Sequence, residues 1–246
     1  MRWTRPGKMA ALAALAVACG CSSHPTGVLG NGEFRYLCDG DADTACNDGD
    51  SDTDLPGAIA VGATFQIGYR PNASSGEIQG ATGYEIVAAS PRLASTSGDT
   101  IASLREGYVA LLARHVGNVT VDDFVHLHFD AIRTLEVSPS ASLTVGAGGQ
   151  GSIDLRALDA LGAPLAGRLS CRWEVTEGAP SIALVGSPAG GSASVTAAAQ
   201  GGVTAGAVHV VCGAAAVDVP ITVTGVTLDA GSPGEAAPTG DGGFLD

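Results

Sequence analysis

The chain has 246 residues, with 12 basic against 25 acidic side chains, and it is 45% hydrophobic but only 4% aromatic. A net charge of −13 excludes a protein that works through a basic surface, so nucleic acid and anionic lipid head groups are not expected partners. With 36 glycines and few rings, the cores must be built from Val, Ile, Leu and Ala, and a length of about 200 ordered residues allows one or two domains.

The chain opens with a positive segment, Arg2, Arg5 and Lys8, followed by an uncharged apolar run over Met9 to Ala18 and then Cys19-Gly20-Cys21-Ser22-Ser23. This is the layout of a secretory signal. The run is too short to cross a bilayer, which takes about 20 residues, and no later stretch is long enough for a transmembrane helix. Ala16-Val17-Ala18-Cys19 resembles the lipobox of the bacterial lipoprotein family: an aliphatic residue, two small ones, then Cys. Ala18-Cys19-Gly20-Cys21 fits less well, because a cysteine sits inside the box. The resemblance implies a signal peptide over 1–18, acylation of Cys19 (Cys21 being the alternative) and a short tether over 19–32. Without Arg2, Arg5 and Lys8 the balance becomes 9 basic against 25 acidic, a net of −16, so the lipid alone should hold the protein to its membrane. One acyl chain binds only marginally, whereas several anchor durably. No Asp directly follows either cysteine, so the common inner-membrane retention signal is absent, which tilts the expected destination within the cell envelope toward the outer membrane.

From Glu33 onward, alternation with period 2 dominates and helical periodicity is scarce. Phe34, Tyr36 and Cys38 share one face, as do Phe65, Ile67 and Tyr69, and again Val125, Leu127 and Phe129. Tyr84 to Ala89 and Tyr108 to Ala113 read as nearly continuous buried strands. A second series covers Leu135–Val137, Ser142–Val145, Ser152–Ala157, Leu169–Val175, Ser181–Val185, Ala193–Ala197, Ala207–Cys212 and Val217–Val223. Many short strands between Gly- and Pro-rich turns predict β-sandwiches. The halves also echo each other: Ile59-Ala60-Val61-Gly62 matches Leu143-Thr144-Val145-Gly146, and Val121 to Leu127 matches Val217 to Val223. Such a domain-sized offset predicts two tandem units.

The second half carries Leu135-Glu136-Val137-Ser138-Pro139, Leu143-Thr144-Val145-Gly146, Leu155 to Gly162 with its Asp-x-x-Gly turn, Trp173, and the closing Val219-Pro220-Ile221-Thr222-Val223. In these features it resembles a bacterial immunoglobulin-like domain of the group-2 type. The first half resembles that family loosely and lacks the Trp. The expected architecture is all-β: two tandem immunoglobulin-like β-sandwiches, over 33–132 and 133–225, after the signal and tether, with a disordered acidic tail over 226–246. The resemblance implies spacer, adhesion or protein-binding modules, and it brings no catalytic residues.

Six cysteines in an oxidising compartment invite pairing. Cys38 and Cys46 are close enough to clip the acidic loop between them, and Cys171 and Cys212 each lie on a strand of the second half. One of the other two takes the lipid. Lipobox quality points to Cys19, while parity points to Cys21, because acylation of Cys19 leaves Cys21 as a free thiol.

Three features could carry chemistry. The loop over 39–54 offers Asp39, Asp41, Asp43, Asp48, Asp50, Asp52 and Asp54, and hard cations such as calcium take several carboxylates from one short turn. It lacks the Asp-x-Asp-x-Asp-Gly order and the closing Glu, so a solvated acidic loop is the competing reading. His126 and His128 share a face, but a zinc or copper site needs a third ligand, His115 or His209, brought in by the fold. For catalysis there is no nucleophile elbow, zinc-protease helix, P-loop or dinucleotide fingerprint. The expectation is a non-enzymatic, membrane-anchored envelope or surface protein without a cofactor, working through an unidentified envelope or surface protein. A calcium-binding module is the alternative.

Overall fold

The computed structural model describes residues 27–38, 43, 46, 52–72, 83–140, 142–186, 188, 190–199 and 204–225. The signal segment, Cys19, Cys21, Asp39, Asp41, Asp48, Asp50, the side chain of Asp52 and the tail over 226–246 lie outside the described residues. Among those described, regular structure is all strand, and no helix is long and apolar enough to cross a membrane.

In chain order the strands of the first half are β1 (Gly32–Leu37), β2 (Asp52–Thr53), β3 (Ile59–Ala60), β4 (Thr64–Pro71), β5 (Tyr84–Ala88), β6 (Ala94–Ser97), β7 (Thr100–Ser103), β8 (Gly107–His115) and β9 (Val121–Asp130). The second half contributes β10 (Thr134–Ser138), β11 (Leu143–Gly146), β12 (Gln150–Leu158), β13 (Cys171–Glu177), β14 (Ile182–Leu184), β15 (Ser192–Ala197), β16 (Ala205–Cys212) and β17 (Ala215–Thr224). They form four sheets, in the orders β2-β1-β4-β7-β6, β3-β9-β8-β5, β10-β12-β15-β14 and β11-β17-β16-β13. Apart from the two-residue edge strand β2, the two halves have the same strand order, so the protein is two immunoglobulin-like β-sandwiches of matching topology.

Each sandwich closes in the same way. A short early strand runs parallel to the last strand: β3 beside β9, with Ile59 opposite Phe129, and β11 beside β17, with Leu143 opposite Ile221. Every other named pairing is antiparallel. A parallel pair cannot be joined by a tight turn, so here most strands of the sandwich lie between the two partners. The two segments that echo each other in the sequence fall on these closing strands.

Alternation delivers the cores. Phe34 and Tyr36 of β1, Phe65, Ile67 and Tyr69 of β4, and Val125, Leu127 and Phe129 of β9 are all buried. Their rings meet face to edge or stacked, as in Phe65 with Phe129 at 5.9 Å and Tyr36 with Phe65 at 6.0 Å. Two strands depart from the sequence reading. On β8 only Val109, Leu111 and Ala113 are buried, and on β5 only Ile86. Both lie in a sheet covered on one face alone, so their other face turns outward despite its apolar side chains. The hairpin β6–β7 is rich in Ser and Thr, and that is why hydrophobic alternation does not reveal it.

In the second sandwich Cys171 faces Cys212 across β13 and β16 with their Cα atoms 4.3 Å apart, so the disulfide links neighbours within one sheet. Trp173, two residues along the same face, is buried beside this bridge and donates its indole N–H to the Gly190 carbonyl at 2.9 Å. Replacing both cysteines by Ser frees a loop with a sequence separation of 41. The unfolding transition of the second sandwich in urea is expected to lose about 3–4 kcal/mol in the chain-entropy account.

Candidate functional site

The connection between β12 and β13 starts with an aspartate-capped turn, in which the Asp159 carboxylate accepts the backbone N–H groups of Leu161 and Ala163, both at 2.8 Å. The chain then leaves its own sandwich and lies against the first one. Ala166 donates to the Ala58 carbonyl at 3.0 Å and accepts from the Ala60 N–H at 2.9 Å. Arg168 and Thr64 exchange both backbone bonds, at 2.8 and 3.1 Å. Leu165 and Ala166 are buried in the process. The two sandwiches are therefore joined by strand-type pairing as well as by the covalent link through Asp130 to Thr134, and their buried side chains form one continuous cluster.

At the centre of this junction is the Asp43 carboxylate. Asp43 lies within the Cys38–Cys46 disulfide loop, and the Cys46 N–H donates back to its carbonyl at 3.0 Å. Its carboxylate is buried, accepting the Tyr36 hydroxyl from the first core and the Gly167 N–H of the second sandwich at 2.9 Å. Gly167 has φ of +106°, and a Cβ there would lie 2.7 Å from the Ala63 Cβ and 3.3 Å from Ile59 Cγ2. Only glycine accepts both that dihedral and that approach. Burial, reinforced by the neighbouring Asp43 charge, pushes the Tyr36 phenol well above its ordinary range.

A second buried carboxylate organises the opposite end of the first sandwich. Residues 27–31, read from the sequence as the end of a tether, form a turn here. Asp123 is fully buried and accepts the backbone N–H groups of Leu29 at 2.8 Å, Asn31 at 2.8 Å and Gly32 at 3.1 Å. The neighbouring Asp122 accepts the Tyr69 hydroxyl, and the Asn31 side chain donates to its carbonyl at 2.6 Å. Burial, then the bond to Asp122, pushes the Tyr69 phenol up. Val28 donates to the Phe124 carbonyl at 2.8 Å. The chain is thus bound to the sandwich from residue 27 onward.

The acidic loop is used differently from a cation cradle in its described parts. Asp43 belongs to the junction, Asp54 pairs with Arg35 at 2.8 Å, and Asp52 sits opposite Leu37 in β2. Among the described residues no group of three or more His, Cys, Asp or Glu side chains is placed to hold a metal. The histidines are dispersed as well. His126 lies edge-on to Phe124 at 5.4 Å, His128 is stacked on Tyr108 at 4.5 Å, and His115 lies against Tyr84 at 4.2 Å. His209, in the other sandwich, meets Asp218 at 2.7 Å.

Of these rings, Tyr108, Phe124, His126 and His128 belong to the outer face of the sheet β3-β9-β8-β5. Tyr108, 72% exposed, stands there beside His128, with Phe124, Leu112, Ala110 and Val87 half-buried around them. An outward face this apolar is unusual on a protein of such negative charge, and it is the candidate binding surface. Two grooves also occur among the described residues. One, about 580 Å³, is lined by Glu136, Ser138, Pro139, Asp154 and Arg156, and the other, about 120 Å³, lies at the junction beside Asp43, Gln66 and Arg168. Neither lining includes a histidine or a cysteine.

Sequence reasoning missed Asp123 and Gly167. Asp123 had a legible signal: it is in phase with Val125, Leu127 and Phe129, which places a carboxylate at a core-facing position. Gly167 had none, because its constraint comes from a segment more than a hundred residues earlier in the chain.

Asp43→Ala leaves the Gly167 N–H buried without its acceptor, so a loss of about 1–3 kcal/mol is expected. Gly167→Ala should weaken the same junction, and small-angle scattering should show the radius of gyration rising as the sandwiches separate. The raised Tyr36 phenol also sets a pH dependence. The native state keeps this proton while the unfolded chain loses it above about pH 10, so stability is full below that pH and falls as pH rises further, by about 1.4 kcal/mol per unit from this group. Urea midpoints at pH 9 and 11 should show that component in the wild type and not in Tyr36→Phe.

The chain matches no family model and no curated protein. Among solved structures it is similar to domains 4 and 5 of the S-layer protein SbsC, with 15% identity, 65% of this chain and 90% of that chain covered, and a TM-score of 0.30. It is also similar to the adhesin InvE of Yersinia pseudotuberculosis, with 13% identity, 68% and 56% covered, and a TM-score of 0.33. The teleost fish polymeric Ig receptor ectodomain gives 15% identity, 68% and 94% covered, and a TM-score of 0.30. The chain spans a little over half of the adhesin structure. The fold itself rests on the four sheets and their register.

Proposed function

We propose that this is a non-enzymatic lipoprotein of the cell envelope, in which the first of two rigidly joined immunoglobulin-like sandwiches displays a protein-binding face. The observation that carries this reading is the outer face of β9, β8 and β5. There Tyr108, Phe124, Leu112 and Val87 face outward on a chain whose part after the signal has a net charge of −16. Aromatic residues left exposed with aliphatic neighbours are the usual anchors of a protein interface. The backbone pairing between Ala166, Arg168 and the first sandwich supports a spacer role, since it resists bending where a plain linker would not. The lipobox Ala16-Val17-Ala18-Cys19 supports attachment through an acyl group, and the absence of Asp after the cysteine supports the outer membrane. Resemblance of the second half to the group-2 bacterial immunoglobulin-like domains supports the same class of role.

Two experiments test the proposal. In cells, Cys19→Ser should move the chain from the membrane to the soluble envelope fraction, while Cys21→Ser leaves it in place. Retention of both single variants and of the double variant in the membrane would exclude acylation at this site. In a crosslinking pull-down from the envelope, Tyr108→Ala together with Leu112→Asp should abolish capture of any partner that the wild type retains. Undiminished capture would remove this face from the reading.

A further inference from the structure

Among the described residues, two turns stand out at the end of the first sandwich opposite the junction: Gly27 to Asn31, and the β8–β9 hairpin from Val116 to Thr120. Asp123 and Phe124 bind the first turn through their side chain and carbonyl, only a few residues after the hairpin. The Asn72 N–H, just past the end of β4, donates to the Asn31 carbonyl at this same end. Neither turn contains a charged residue. Their aliphatic side chains point outward, with Val28 59%, Leu29 54%, Val116 66% and Val119 86% exposed. These are four of the eight large hydrophobic side chains exposed among the described residues, so the exposure is concentrated at one end.

The charges behind them are matched in part, with two cations against four carboxylates. Arg70 pairs with Glu33 and Arg114 with Glu85, while Asp122 and Asp123 accept the hydrogen bonds described above. The two turns themselves thus present no charge to a membrane surface. The sequence adds the decisive constraint. Gly27 follows Cys21 by six residues and Cys19 by eight, a reach of at most about 20–30 Å even when fully extended. A turn bound to the sandwich from residue 27 onward holds this end close to whatever the cysteine is attached to.

We infer that Val28, Leu29, Val116 and Val119 form a membrane-contacting surface that enters the head-group region of the bilayer carrying the acylated cysteine. This rests on the proposed acylation and goes beyond it, since the lipid is then joined by a second contact made by the folded protein. The partner is a lipid surface with little net charge, because the turns offer aliphatic groups and no cation for an anionic head group. Two points of attachment fix the tilt of the sandwiches on the membrane, where a lipid on a free tether would leave it undetermined.

Depth-dependent quenching tests this with the full acylated chain reconstituted in phosphatidylcholine vesicles, with and without lipids brominated on their acyl chains. Val119→Trp and Val28→Trp are compared with Leu161→Trp, which is 93% exposed on the second sandwich. Trp173 provides a common background in all three. Emission from the tryptophans at 119 and 28 should fall at least twofold with brominated lipid, while that at 161 stays unchanged. Unquenched emission at 119 and 28 from chain that floats with the vesicles overturns the membrane-contacting surface and leaves the anchor standing. Chain that does not float overturns the anchor and this inference together.

Discussion

A buried carboxylate between two domains is costly unless every oxygen is satisfied, and Asp43 meets that demand with donors from both sides. Its Tyr36 partner belongs to the first core and its Gly167 partner to the second sandwich. Desolvating an ion costs several kcal/mol, which attraction and hydrogen bonds repay only when the geometry is good. The arrangement is therefore selective: Asp43 is satisfied only when the disulfide loop, the first core and the β12–β13 connection are all in place. The relative position of the two sandwiches depends on it.

The junction uses the chemistry of a sheet edge. The strand β3 is two residues long and paired with β9 on one side. On its other side Ala166 and the backbone around it act as a further strand, so an edge that could recruit another chain is covered from within the molecule. At the far end of the same sandwich Asp123 plays the corresponding part for the incoming chain, gathering three backbone N–H groups where no strand partner is available. Both ends of the first sandwich are thus closed by an inward carboxylate. Between them, the sheet face carrying Tyr108 and His128 is left uncovered.

Much of this was legible because alternation reports which residues share a face. Phe34 and Tyr36, Phe65 to Tyr69, and Val125 to Phe129 announced their strands, and the two segments that repeat between halves lie on the strands closing each sandwich. Those strands repeat recognisably because they bear the same requirement in both units: they must pair in parallel while burying one side. The hairpin of β6 and β7 was not legible, since its Ser and Thr residues give no apolar rhythm. The apolar runs at Tyr84 and Tyr108 suggested burial on two faces. They proved to be half covered, because hydrophobic composition does not tell how many layers lie above a sheet.

The sequence by itself determined the class of fold, the tandem arrangement of two units and the cysteines available for disulfide clips. These follow from periodicity, turn residues and spacing, which are local properties of the chain. Only the tertiary structure decided what Asp43 and Asp123 do, why Gly167 must be glycine, and which apolar side chains remain at the surface. Each of those depends on groups brought together from distant parts of the chain, and a carboxylate in a sequence carries no mark of the donors that will meet it once folded.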